Sequence, residues 1–107
     1  MARTAKRLAQ TALSTTGATI YTAPAGTTTQ ITEIYFANTG ATTSRTLTLY
    51  VNGTATSNTI VAGLVVPGTG TQILSDAKIV IPANTIFAAK QDVGTDVICT
   101  IFGIEEV

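Results

Sequence analysis

The chain is expected to fold as one all-β domain, an antiparallel β-sandwich of jelly-roll type with about eight strands. Three observations predict this. Turn signals recur at intervals of roughly 8–12 residues, the spacing of a sandwich or small barrel. No stretch sustains the 3.6-residue periodicity of an amphipathic helix. Threonine is the commonest residue, 23 of 107; it is β-branched yet tolerates water, so it suits the solvent face of a sheet.

The elements follow in order. Residues 1–7, with Arg3, Lys6 and Arg7, hold half of the basic residues and read as an arm outside the sandwich, which then occupies residues 8–107. Leu8 to Leu13 forms a first short strand and Ser14 to Gly17 a turn. Ala18 to Thr22 is a second strand, stopped by Pro24, which has no ladder donor and fixes φ. Gly26 lets the chain reverse. Thr28 to Ala37 is the third strand, but its apolar phase shifts: Ile34 and Phe36 share one face, Ile31 and Tyr35 the other. A bulge near Glu33 would reconcile them, or the strand is covered on both sides.

Thr46 to Val51 alternates cleanly, with Leu47, Leu49 and Val51 on one face. Asn52-Gly53 then signals a hairpin; the Asn52-Gly53-Thr54 triplet also fits a glycosylation acceptor, but a turn is the better reading. Thr59 to Val66 is an apolar strand with a bend at Gly63. Thr71 to Leu74 and Lys78 to Ile81 are two short strands separated by a turn at Asp76-Ala77. Thr85 to Lys90 follows the corner at Pro82, Gln91 to Asp96 is a hairpin loop, and Val97 to Glu106 is the last strand. The sequence Pro24-Ala25-Gly26-Thr27 recurs in looser form at Pro67-Gly68-Thr69-Gly70 and Pro82-Ala83-Asn84-Thr85, each after an apolar run.

Composition excludes most chemistry. The chain has no histidine, so it has no imidazole base and no imidazole metal ligand. Its single cysteine, Cys99, cannot form an internal disulfide or a thiolate zinc site and reads as a buried hydrophobe. The six carboxylates show no facing pair of the kind a glycosidase uses. Asp92 and Asp96 bracket Gly94 without the spacing of a calcium loop, and a solvated hairpin tip is the better reading. Gly68-Thr69-Gly70-Thr71 lacks the lysine of a phosphate loop. Neither catalytic residues, metal nor cofactor are therefore expected. A net charge of zero gives no case for nucleic acid, and no apolar run is long enough for a membrane helix. No apolar segment of a signal peptide follows the basic start. Only 11% of the residues are charged, against about 25% in ordinary domains. Much of the surface is thus expected to be covered by partners.

Three segments carry a resemblance: Ala5-Lys6-Arg7-Leu8-Ala9-Gln10; Thr19 to Gly40 with its Tyr21 strand and Pro24-Ala25-Gly26 corner; and Thr46-Leu47-Thr48-Leu49-Tyr50-Val51-Asn52-Gly53-Thr54. Together with the later corner at Pro82, they resemble small β-sandwich structural proteins of tailed-bacteriophage virions, over nearly the whole chain. The resemblance implies a non-enzymatic virion component, most readily a capsid decoration (cement) protein on the head surface, bound to the major capsid protein. It also implies a symmetric homo-oligomer, with a homotrimer favoured because such proteins commonly occupy three-fold axes. The alternative is a tail or spike module that binds a receptor or carbohydrate. The partner-binding residues expected from charge are Arg3, Lys6 and Arg7 at the start and Glu105 and Glu106 at the end, the first group gripping an acidic shell or the second group of an adjacent copy.

Overall fold

The computed structural model describes residues 2–107 except Asp76 and Ala77, so the turn expected at those two positions lies outside the described residues. Eight strands are described: β1 (Arg3–Ala12), β2 (Ala18–Thr22), β3 (Thr28–Asn38), β4 (Arg45–Val51), β5 (Thr59–Val66), β6 (Thr71–Ile81), β7 (Ile86–Gln91) and β8 (Val97–Glu106). They form two four-stranded sheets, β1-β8-β3-β6 and β2-β7-β4-β5, in which every neighbouring pair is antiparallel. First lies beside last, second beside seventh, third beside sixth and fourth beside fifth. A long hairpin centred between β4 and β5 has been rolled into two layers, and that is the jelly-roll order.

Three corners that carry the chain from one sheet to the other share one turn. The backbone N–H of Thr27 donates to Pro24 O, that of Gly70 to Pro67 O and that of Thr85 to Pro82 O, at 3.1, 2.9 and 3.1 Å. In each, the third residue (Gly26, Thr69 or Asn84) takes a left-handed φ, of 74°, 55° and 65°. Proline pre-sets φ at the first position, and the removal of its N–H ends the ladder where the chain must leave the sheet. The first and third corners are also tied together, because Asn84 N–H donates to Ala23 O and Ala23 N–H to Thr85 O.

The shifted apolar phase of β3 is resolved by a bulge. Ile31 pairs with Gly103 of β8 and Glu33 with Phe102, so Thr32 is an extra residue. Ile31, Ile34 and Phe36 thereby all face inward and are buried, while Tyr35 faces out. The core lies between the sheets and is built from Leu13, Ile31, Ile34, Phe36, Leu47, Leu49, Ile81, Phe87, Val97, Cys99 and Ile101. β1 bulges at the same level, where Leu8 is the extra residue between the Arg7–Phe102 and Ala9–Ile101 pairs. Gly103 sits between these two bulges; a Cβ there would collide with the carbonyl oxygen of Gln30 and lie 2.8 Å from Leu8 Cδ1.

Two expectations are corrected. Residues 3–7 are not an arm outside the sandwich: they are the first half of β1 and pair residue by residue with β8, Arg3 opposite Glu106. Alternating Thr, Ala and basic residues suit an exposed edge strand as well as they suit a tail. The segments Thr71–Leu74 and Lys78–Ile81 belong to one element, β6, whose register against β3 slips between Ser75 and Ile79. The hairpin expected at Asn52-Gly53 joins β4 to β5: Asn52 has a left-handed φ of 61°, and a 3₁₀ turn at Thr56–Asn58 completes the loop before β5. Large apolar side chains are exposed on β5 and β6.

Candidate interaction surfaces

The sandwich has two long open sides, one where β1 lies over β2 and one where β6 lies over β5, because these four strands end their sheets. The first side is sealed by polar groups. Tyr21, on β2, donates its hydroxyl proton to Glu105 Oε2 of β8 at 2.5 Å. That leaves Thr29 of β3 as the donor in its 2.7 Å contact with the Tyr21 oxygen. Lys6 Nζ of β1 lies 2.8 Å from the other Glu105 oxygen. Burial, and then the carboxylate beside it, push the Tyr21 hydroxyl up to about 12. The Lys6 ammonium and the Tyr21 hydroxyl hold the Glu105 carboxyl below its ordinary value. One tyrosine thus fastens the second sheet to two strands of the first, and Glu105 links it to the third through Lys6.

The residues expected to bind partners are all at this side. Arg3 Nε lies 3.0 Å from Glu106 Oε2, and Arg7 donates to Gln10 Oε1 at 3.5 Å. The basic and acidic groups expected to meet between copies therefore meet within one chain, in register across β1 and β8. The β-ladder brings them together: Arg3 and Glu106 are direct partners, and Lys6 reaches diagonally to Glu105, whose direct partner is Thr4.

The second side is apolar. A groove of about 650 Å³ runs between β5 and β6. Its floor is formed by Val61, Leu74 and Ile79, which pack on the core, and its rim by Ile60, Ile73 and Val80. The rim residues are 42, 48 and 57% exposed, and Val65 further along β5 is 47% exposed. Among the described residues, none that lines the groove is charged. At the corner end the two strands are bridged where Gln72 Nε2 donates to Val65 O. Sequence reasoning missed this surface because a continuous apolar run is the signature of a strand buried on both faces. The available signal was Thr59–Val66 itself, eight residues without a charge and with a glycine inside.

A third feature is a shallow hollow of about 500 Å³ on the outer face of the first sheet, lined by Gln10, Tyr35, Thr100 and Phe102 among others. Tyr35 and Phe102 meet edge to face, with centroids 5.6 Å apart and planes at 82°. Elsewhere the polar groups are used by the fold. Arg45 Nη2 lies 2.6 Å from Asp96 Oδ2. Asp92 Oδ1 accepts the N–H groups of Thr46 and Val93, and although burial pulls the other way, these bonds hold its carboxyl below the ordinary value. Both carboxylates that bracket Gly94 are therefore engaged at the hairpin tip. The buried Asn38 side chain donates to Thr43 O and Val66 O and accepts from Gly40 N. Cys99 is buried, which pushes its thiol up to about 12 and keeps it protonated. Among the described residues, no cluster of three or more metal-ligating side chains occurs. No protein-family model, curated protein or solved structure matches the chain.

Proposed function

We propose that this chain is a non-enzymatic structural protein of a tailed-bacteriophage virion, a capsid decoration (cement) protein that sits on the head surface as a symmetric homo-oligomer in contact with the major capsid protein. The observation that carries this reading is the contrast between its polar and apolar groups. Its few ionisable side chains are largely spent on ion pairs and loop caps within the fold, while large apolar side chains stand exposed along one open side. A chain with so little charge suits a surface shared with other proteins. The resemblance of the Tyr21 strand, the Pro24 corner and the Thr46–Thr54 segment to virion proteins supplies the setting, and its three-fold preference favours a trimer.

The test is copy number. Antibodies raised to the chain, used on purified particles, should detect it at a stoichiometry comparable with that of the shell subunit, and tail-less heads should retain it. Absence from particles defeats the reading. A few copies confined to the tail would favour the second reading, a receptor- or carbohydrate-binding tail module. The hollow beside Tyr35 and Phe102 favours that alternative, because aromatic rings flanked by an amide and a hydroxyl suit a neutral saccharide. Glycan binding lost in Phe102→Ala would support it.

A further inference from the structure

We infer that Asn52 is a site of spontaneous covalent modification, at which the hairpin between β4 and β5 loses ammonia and gains a carboxylate. The inference does not depend on the virion reading.

Of the four asparagines, Asn38, Asn52, Asn58 and Asn84, only Asn52 is followed by glycine; threonine follows the other three. In asparagine deamidation the main-chain nitrogen of the next residue attacks the side-chain carbonyl carbon. A β-branched neighbour crowds that approach, and glycine leaves it open. The fold demands this glycine. Gly53 has a φ of 139°, and a Cβ there would lie 2.7 Å from Asn58 Oδ1. Position 52 is constrained as well, because its φ of 61° is one that asparagine takes more readily than most residues. The hairpin thus selects the pair best suited to the reaction.

Hydrogen bonding singles out the same pair. The attacking nitrogen at each of the other sites is engaged: Thr39 N–H donates to Asp96 O, Thr59 N–H to Thr56 O and Thr85 N–H to Pro82 O. The side-chain amides of Asn38 and Asn58 are engaged too. Asn52 is exposed, and among the described residues neither its side-chain amide nor the Gly53 N–H takes part in a hydrogen bond. Ring closure turns the Asn52–Gly53 peptide toward Asn52 Cγ. Residues 54–57 are exposed and the 3₁₀ turn buries no residue, so this local movement breaks no core contact.

The chemistry balances with water alone. The Gly53 nitrogen loses its proton to solvent and bonds to Asn52 Cγ. The Cγ–Nδ2 bond breaks, and the released nitrogen takes up a proton and departs as ammonia, leaving a five-membered imide. Water then opens the ring. Attack at Cγ restores the main chain and leaves aspartate. Attack at the main-chain carbonyl leaves isoaspartate, in which the chain runs through Cβ and Cγ and is one carbon longer. Nothing is oxidised or reduced. Either product adds a negative charge to a chain whose formal net charge is zero. Isoaspartate also lengthens the loop that joins β4 to β5.

The experiment incubates the folded full chain in mildly alkaline buffer made with heavy-oxygen water, beside Asn52→Gly. That variant suits the left-handed φ and removes the amide. Cleavage after Arg45 and Lys78 releases a peptide that holds Asn52 and Asn58, and fragmentation in the mass spectrometer tells the two apart. The parent should gain mass and a heavy oxygen at residue 52, as a mixture of aspartate and isoaspartate, while Asn38, Asn58 and Asn84 keep their amides. Asn52→Gly should lose the mass gain from this peptide. An intact amide at residue 52 in the folded parent overturns the inference. So does conversion that appears only after unfolding, or that reaches any of the other three asparagines as early as Asn52.

Discussion

The two long sides of this sandwich solve the same problem in opposite ways. Each is a place where two sheets end and their edge strands lack an outer neighbour. Where β1 overlies β2, the opening is closed from within by the Tyr21–Glu105–Lys6 latch, and the edge itself carries Arg3, Lys6 and Arg7. That is a protected edge, since charged side chains discourage pairing with another chain. Where β6 overlies β5, the described residues that line the groove carry no charge, and isoleucine and valine face water. The difference teaches that the low charge of the chain is not spread evenly. Among the described residues, ion pairs cross the first side, and large apolar side chains are exposed along the second.

The largest effect expected within the fold lies in the core beneath both sides. Leu49 of β4 is buried and Thr48 faces the other way, half-buried. Leu49→Ala should cost about 2–5 kcal/mol and Thr48→Ala under about 1 kcal/mol, read from denaturant unfolding. Equal losses would mean that the outer face of β4 is covered too, and the apolar surface would then extend beyond the β5–β6 groove.

Next comes the backbone beneath the charged edge. Gly103→Ala would press a methyl group onto the Gln30 carbonyl and Leu8, and should cost about 1–3 kcal/mol. Amide exchange should quicken first in β1. Uniform quickening across both sheets would show that β1 does not open separately from the rest.

The latch gives a smaller, pH-dependent effect. Tyr21→Phe removes the hydroxyl shared by Glu105 and Thr29 and should cost about 1–2 kcal/mol near neutral pH. The folded-state value of Glu105 is depressed, so its contribution is fully present above the ordinary carboxylate value of about 4.3 and is lost as pH falls through the folded value. Acid unfolding of the parent should therefore lose stability below about pH 4, and Glu105→Gln should flatten that limb. At the other extreme, the folded-state value of Tyr21 is raised to about 12, so stability should fall as pH rises from about 10 toward that value, and less steeply in Tyr21→Phe. An unchanged alkaline limb in Tyr21→Phe would place the alkaline loss elsewhere, at the buried Cys99 thiol.

The smallest effect is at the rim of the charged edge. Arg3 and Glu106 are largely solvated, so Arg3→Ala should cost at most about 1 kcal/mol and nothing measurable at high salt. A larger, salt-resistant loss would mean that this edge, and not the apolar one, is held against a neighbour.

The sequence by itself determined the class of fold and most of its punctuation. β2 and β5 lie where alternation and apolar runs put them, and the three proline corners turn as their residues require, because proline and left-handed positions act within four residues. The inward set Leu47 and Leu49 was legible from a period of two, and Cys99 from its apolar neighbours. The tertiary structure alone decided the rest. Whether Ile31 joins Ile34 in the core depends on the bulge at Thr32, which arises from pairing with β8 about 70 positions away. Residues 3–7 became a strand because β8 offered them a ladder, and their charges found Glu105 and Glu106 in register. The apolar groove was least legible of all. A run such as Thr59–Val66 has the same pattern whether it lies in the middle of a sheet or at its edge, and only strand order, a property of the whole chain, tells the two apart.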